Sequence, residues 1–226
     1  MLGYFIIAGV FSVIGMIISG RLRSKFSYYS QMPVRSGMSG AEIADSMLRH
    51  YGIRDVKIVE GQGFLSDHYN PLSKTVSLSP DVYHGRSVAA AAVAAHECGH
   101  AVQHATAYSM LQLRSAMVPV VSVASGLQQY LLLFALGAFG VASSNLLLLI
   151  TIGVFGVTTL FSLVTLPVEF DASKRALAWL DQSNVARGQE YDGAKDALWW
   201  AAMTYVSAAL SALVTLLYLI MRLNNN

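Results

Sequence analysis

Charge and cysteine are both scarce in this sequence. Only 12% of its 226 residues are charged, whereas ordinary soluble domains carry about twice that fraction. The single cysteine, Cys98, excludes an intrachain disulfide and suits a reducing compartment. There is also no basic patch with interleaved aromatic residues, so nucleic acid is not an expected partner. The composition therefore argues against an ordinary soluble domain and against a disulfide-stabilised secreted scaffold.

Four long apolar runs stand where charge is missing. A helix needs about 20 mostly apolar residues to cross a bilayer. Four segments meet this requirement without any Asp, Glu, Lys or Arg: Leu2–Ser19, Met117–Gly140, Asn145–Pro167 and Trp199–Met221. The first has no basic start and no small-residue cleavage site, so it predicts a retained anchor instead of a secretory signal.

The basic residues predict the orientation in the membrane. Of the 15 Lys and Arg, ten lie between spans one and two, with Arg21, Arg23 and Lys25 directly after the first span, and four lie between spans three and four. The positive-inside rule places both regions in the cytoplasm. The predicted organisation is an anchor at 1–20, a cytoplasmic region at 21–115, a transmembrane hairpin at 116–167, a cytoplasmic helix at 168–198, and a last span with a polar tail at 199–226.

The region 21–115 is predicted to be a small α+β unit in a mainly α-helical polytopic membrane protein. Ser39 with Glu42 predicts the capping box of a helix. Val56–Glu60 and Thr75–Ser79 are typical of strands, and Gly61–Lys74 between them is predicted to be a loop with a turn near its end. Further on, Ser87 predicts the cap of an alanine-rich helix.

That helix carries three of the six histidines within nine residues, in the stretch VAAHECGHAVQHA. His96 and His100 are four residues apart and share one helix face, so both imidazoles can bind one zinc ion. Glu97 can then act as the general base, taking a proton from the zinc-activated water as it attacks a carbonyl. A histidine pair that hydrogen-bonds within a core gives the same pattern, but the strong helix-forming context favours the zinc interpretation.

A third protein ligand is expected, because a catalytic zinc usually has three and keeps one position open. Glu169 is the candidate, since the hairpin returns the chain to the membrane face of His96. A carboxylate at a membrane boundary is also common without a metal. His104 lies about 12 Å from His96 along the helix, too far to share an ion bonded at about 2 Å. His104 is expected to orient a zinc ligand, to contact substrate or to have a purely structural role.

The segment SDHYN holds the other histidine–carboxylate pair, Asp67 and His68. A loop histidine is usually solvated, and contact with substrate is the alternative. Peptide hydrolysis also needs a donor for the developing oxyanion. His68 and Tyr69 are the candidates for that donor.

Four sequence blocks, in order, resemble the YugP-like family of bacterial membrane zinc metallopeptidases: GAEIADSML, LSDHYNP, VSLSPDVYHGRSVAAAAVAAHECGHAVQH and PVEFDASKRAL. They cover much of the chain from Gly40 to Leu177. The resemblance implies a gluzincin-like endopeptidase in the bacterial cell membrane, with one zinc per chain and peptide or protein substrates. It also implies a part in membrane-protein quality control. An oligomer is compatible with the sequence but not indicated by it.

The resemblance extends to site residues. The family is similar in plan to the HtpX and CAAX-protease type, whose third ligand is the glutamate that opens an E-x-x-A-D motif. Here EFDAS matches at Glu169 and Ala172 but has Ser173 in place of the aspartate. Asp171 is the candidate that would orient a zinc-bound histidine instead. The resemblance also implies that TVSLS is an edge strand beside the histidine helix, where a peptide substrate can add as a further strand.

Two other functions stay open at this stage. One is a zinc-binding membrane regulator or scaffold without hydrolase activity, and the other is a small transporter with an accidental motif. The intact Glu97 favours the enzyme, because a site that only binds metal does not require it. The size of the region 21–115 and the lack of charge within the spans argue against a transporter.

Overall fold

The computed structural model describes residues 2–63, 66–137 and 145–225. The elements within these ranges are, in chain order, α1 (Leu2–Ser30), α2 (Gly40–His50), β1 (Lys57–Glu60), β2 (His68–Asn70), β3 (Thr75–Leu78), α3 (Pro80–Tyr83), α4 (Val88–Ala105), α5 (Ser109–Ala135), α6 (Asn145–Gln182) and α7 (Gln189–Asn224). The end of the predicted span Met117–Gly140 lies outside the described residues. The architecture is mostly helical with one small sheet, as predicted.

Four helices in the described residues are long and apolar enough to cross a membrane, in agreement with the four predicted apolar segments. These are α1, α5, α6 and α7, and each extends beyond its apolar run. The prediction of a separate helix starting at Val168 is wrong, because α6 continues through Pro167 to Gln182. A proline in a helix interior costs roughly 3 kcal/mol or more. The fully buried side chains of Val168, Ala172 and Leu180 show the packing that offsets this cost.

The chain divides into two compact units. One comprises Met1–Ile18, Leu113–Leu166 and Thr204–Asn226, and the other comprises Ser19–Gln112 and Pro167–Met203. The first has a small core that includes Leu148, Phe155 and Leu219. The second has a larger core around α4, and this core includes Met47 from α2 and Trp179 from α6. The second unit thus combines the two stretches of chain that carry nearly all of the basic residues.

The sheet of the second unit has the strand order β1-β3-β2. Strand β3 pairs in parallel with β1 and antiparallel with β2. The predicted loop Gly61–Lys74 is therefore wrong at His68–Asn70, which form β2. The side-chain oxygen of Asn70 accepts hydrogen bonds from the backbone N–H groups of Leu72 and Ser73 at 2.9 and 3.2 Å, which closes the turn into β3.

This strand order also corrects the expectation that TVSLS forms an edge. Strand β3 is central and has a partner on each side, so neither of its edges can receive a peptide. The edges of the sheet are β1 and β2 instead. Of these, β2 is three residues long and directly precedes the turn into β3.

The predicted helix caps are present and fix where two helices begin. The Ser39 hydroxyl accepts from the N–H of Glu42 at 3.3 Å, and the Glu42 carboxylate accepts from the N–H of Ser39 at 2.7 Å, completing the capping box of α2. The Ser87 hydroxyl accepts from the N–H of Ala90 at 3.2 Å at the start of α4. Beyond this cap, the alanines of α4 are almost all buried, which lets neighbouring elements pack closely around it.

Candidate metal centre

Three side chains with metal-ligating atoms converge between α4 and α6. Oε2 of Glu169 lies 3.3 Å from Nε2 of His96 and 3.5 Å from Nε2 of His100. One ligand atom from each residue lies within 4.8 Å of the other two. The three side chains are largely shielded, with exposed fractions of 14%, 12% and 5% for His96, His100 and Glu169. The structure thus brings the carboxylate from α6 to the histidine pair.

The donor set and its spacing fit a zinc ion. Two imidazoles and one carboxylate are a common set for a catalytic zinc. Bonds of about 2.0–2.2 Å in a tetrahedral arrangement place neighbouring ligand atoms about 3.3–3.6 Å apart, and both contacts to Glu169 fall within this range. In residues 2–63, 66–137 and 145–225, no other group of three or more such side chains is arranged to hold a metal ion.

Nδ1 of His96, the ring nitrogen that does not face Glu169, contacts Ser173, the residue at which the motif departs from E-x-x-A-D. The Ser173 hydroxyl lies 3.1 Å from Nδ1 of His96. Ser173 is one helical turn after Glu169 on α6, so one helix provides both the carboxylate and the contact that orients the histidine. The serine therefore occupies the place of the missing aspartate without supplying its charge.

The outer nitrogen of His100 contacts a glutamine that the sequence analysis missed. Gln103 is fully buried, and its amide nitrogen donates to the Val168 carbonyl and to the Asp171 carboxylate, both at 2.8 Å. Both of these groups only accept hydrogen bonds, so the amide oxygen must face His100, 3.0 Å away. An amide oxygen also only accepts, so Nδ1 of His100 carries a hydrogen. Nε2 is therefore the nitrogen available to a metal.

Asp171 reaches this histidine only through Gln103. Its carboxylate also accepts a hydrogen bond from Nε of Arg175 at 2.6 Å. The contacts thus form a chain from Arg175 through Asp171 and Gln103 to His100. This chain supports His100, one of the candidate ligands. Partners of this kind hold a ligating imidazole in one orientation and tautomer. The only sequence signal for Gln103 is its position three residues after His100, which places both on one face of α4.

The charges around His100 favour its protonated form. Burial lowers the pKa of His100, but the hydrogen bond to Glu169 and the negative charges of Glu97 and Glu169 outweigh burial and raise it. A metal binds only the unprotonated nitrogen, so a zinc ion at this position would displace a proton. Zinc affinity is therefore expected to fall as the pH falls.

Glu97 lies beside the first histidine and is buried, with 8% of its surface exposed. Within the described part of the chain, its carboxylate has no hydrogen-bond partner. Its oxygens are not among the buried side-chain atoms that lack a partner, so they are accessible although most of the residue is buried. Its oxygens thus stay free to accept a proton from another molecule, as a general base must.

Gly99 allows α4 and α6 to approach closely enough to form the cluster. A Cβ atom at this position would lie 2.6 Å from the Ala172 backbone oxygen, closer than real Cβ contacts allow. The atom is backbone, so it cannot swing aside. Cys98 is fully buried and faces the Ala44 carbonyl on α2.

Gly99→Ala is expected to push α4 and α6 apart and to weaken metal binding and folding together. The apparent midpoint of thermal unfolding and the zinc content of the purified protein measure the two effects. Gly126→Ala on α5 is the matched control, because a Cβ at Gly126 would meet no atom beyond its own stretch of helix within 4 Å among the described residues. Alanine is the better helix former, by about 1 kcal/mol, so the control should be neutral or slightly stabilised. A Gly99→Ala protein that matches this control would contradict the packing argument.

The other predicted site residues lie outside the cluster. Nδ1 of His104 is 2.7 Å from the Tyr69 hydroxyl, which links the end of α4 to β2. Burial and, to a lesser extent, the charge of Asp55 raise the pKa of Tyr69. His68 is exposed, and its Nδ1 contacts the Ser66 carbonyl at 2.8 Å.

Asp67 is occupied elsewhere too. Its Oδ1 accepts from the N–H and the hydroxyl of Ser79 at 2.7 and 3.0 Å, which connects the start of β2 to the end of β3. Burial raises the pKa of Asp67, and these hydrogen bonds from Ser79 partly oppose that rise. The pair at residues 67 and 68 is therefore split, with the carboxylate holding the sheet and the histidine facing solvent.

Comparison with known proteins agrees with the chemistry of this cluster. Residues 4–224 match the sequence model of a family described as "putative neutral zinc metallopeptidase". The chain belongs to this family. It is 42% identical over 201 residues to a Bacillus subtilis (strain 168) protein described as "putative membrane protease YugP", a match that covers 89% of this chain and 88% of the relative. No solved structure matches the chain. A metallopeptidase family, a membrane-protease relative and four apolar helices support a membrane peptidase in general terms.

Proposed function

We propose that this protein is a multi-pass membrane zinc endopeptidase whose active site is the cluster of His96, His100 and Glu169, with Glu97 as its general base. The observation that carries the proposal is the convergence of two imidazoles from α4 and one carboxylate from α6 at zinc-ligand spacing. The carboxylate of Glu97, which follows His96 and has no hydrogen-bond partner among the described residues, adds the group that hydrolysis needs. One zinc ion per chain is expected.

The three ligands would hold a zinc ion that lowers the pKa of a water in its open position to about 7 and polarises the scissile carbonyl. Glu97 takes a proton from the attacking water as the new C–O bond forms. When the C–N bond breaks, Glu97 passes that proton to the departing amine nitrogen. Ser173 contacts Nδ1 of His96, and Gln103 contacts Nδ1 of His100. These contacts keep the Nε2 atoms of both histidines facing the Glu169 carboxylate.

We place the active site on the cytoplasmic side of a bacterial cell membrane. The basis is the charge distribution, since all of the 15 Lys and Arg except Arg222 lie in the predicted cytoplasmic regions 21–115 and 168–198. Both regions contribute to the cluster, through His96 and Glu169 respectively. Peptide segments at the cytoplasmic face are then the accessible substrates, which suits the quality-control role that the family resemblance implies.

Zinc-dependent cleavage of a complex protein mixture tests the proposal, because such a mixture does not require one substrate to be chosen. The detergent-purified protein is incubated with bacterial membrane proteins, and new amino termini are counted by mass spectrometry. New termini are expected to appear, to vanish after chelation and to return when zinc is restored. A protein that holds one zinc per chain yet produces no zinc-dependent termini would favour the non-hydrolytic regulator or scaffold instead.

A further inference from the structure

A groove of about 320 Å³ runs between α6 and α7 within the second unit. Apolar and aromatic side chains form most of its lining, including Phe170 and Leu177 on α6 and Leu198 and Trp199 on α7. Phe170 is 38% exposed and Trp199 is 54% exposed. Two aromatic rings thus stand open to the surroundings on facing helices.

The charged side chains in the lining all have the same sign. Lys174 on α6 and Lys195 on α7 line the groove, which contains no carboxylate. Both lysines are exposed, and neither has an ion pair or hydrogen bond with any residue that the structure describes. An apolar groove with two ammonium groups that form no ion pair among the described residues complements a molecule that joins an anionic group to an apolar chain.

The order of side chains along both helices matches the depth profile of a bilayer. The predicted apolar spans end at Pro167 on α6 and begin at Trp199 on α7. At 1.5 Å per residue, Lys174 lies about 10 Å beyond the end of one span, and Lys195 lies about 6 Å before the start of the other. The headgroup layer on each side of a bilayer is about 5–8 Å thick, and a flexible lysine stem lets the charge adjust its depth. Trp199 stands at the interface, where tryptophan is enriched.

We propose that this groove binds an anionic phospholipid. Its phosphate contacts Lys174 and Lys195, and the start of an acyl chain lies against Phe170 and Trp199. Ser173 also lines the groove, while its hydroxyl contacts Nδ1 of His96. A bound lipid therefore lies one side chain away from a candidate zinc ligand. Binding itself does not depend on the proposed peptidase activity, so the two can fail separately.

Native mass spectrometry of the full-length protein tests this assignment. Delipidated protein in detergent is titrated with dioleoyl phosphatidylglycerol or with dioleoyl phosphatidylcholine, which has the same chains but no net charge. The anionic lipid is expected to bind on the order of tenfold more tightly. The double variant Lys174→Gln/Lys195→Gln should lose this preference. The control Arg54→Gln/Lys57→Gln removes the same charge from exposed residues outside the groove and should keep it.

Three outcomes would overturn the proposal. Equal affinity for the two lipids would show that the lysines do not select an anion. A preference that survives in the Lys174→Gln/Lys195→Gln protein would place the anionic site elsewhere. Displacement of the lipid by inorganic phosphate at equal concentration would assign the groove to a free anion, because the acyl chain would then contribute nothing.

Discussion

Glu97→Gln is expected to abolish peptide hydrolysis while leaving zinc bound. The amide keeps the shape of the side chain but cannot accept a proton from water. General acid–base groups contribute about 10²–10⁴-fold to rate, so the rate at which new amino termini form should fall by about that factor. Zinc content should stay at the wild-type ratio, because Glu97 is not among the three clustered ligands.

Paired measurements on one preparation make this result decisive. Metal analysis gives the zinc-to-protein ratio, and the count of zinc-dependent new amino termini gives the activity. Glu60→Gln is the control, because Glu60 is an exposed glutamate on β1 that contacts only His84 among the ion pairs of the described residues. Substantial remaining turnover in Glu97→Gln would remove this residue from the role of base. A loss of zinc would instead make Glu97 part of the metal site.

Sequence patterns within single helices predicted the structure most reliably. The four apolar runs predicted four helices able to span a membrane, because crossing hydrocarbon requires a long apolar helix. The spacing of His96 and His100 predicted a shared face, because four residues make about one turn. Glu169 came from topology and from the EFDAS match, and its convergence with the histidines is the long-range contact on which the candidate site rests.

Features that depend on packing between elements could not be predicted in the same way. A three-residue strand such as His68–Asn70 has too little periodicity to separate it from a loop, and its pairing with β3 becomes visible only in the structure. Pro167 predicts a helix end by local rules, yet the buried residues after it keep α6 continuous. The link from Asp171 to His100 needs a glutamine on another helix, 68 positions away. The sequence around Asp171 or Gln103 alone does not predict that contact.

Glu169→Ala is expected to remove most of the zinc from the purified protein. Losing a residue that hydrogen-bonds to a zinc ligand lowers metal affinity by about 10–100-fold. Losing one of the three ligands themselves should lower it further. The zinc-to-protein ratio, measured by metal analysis after dialysis against a defined zinc concentration, should be near one in the wild type and far lower in the variant.

Asp181→Ala provides the comparison for Glu169→Ala, because it removes an exposed carboxylate from the same helix and should keep its zinc. The midpoint of thermal unfolding separates metal loss from misfolding, since Glu169 is buried against both histidines. A folded Glu169→Ala protein with little zinc would mean that α4 and α6 share one metal site, which only a carboxylate from α6 completes. If the folded variant kept one zinc per chain, the ion would be held without Glu169. The proximity of this carboxylate to His96 and His100 would then reflect an ion pair in the core, and the proposed active site would lose its third ligand.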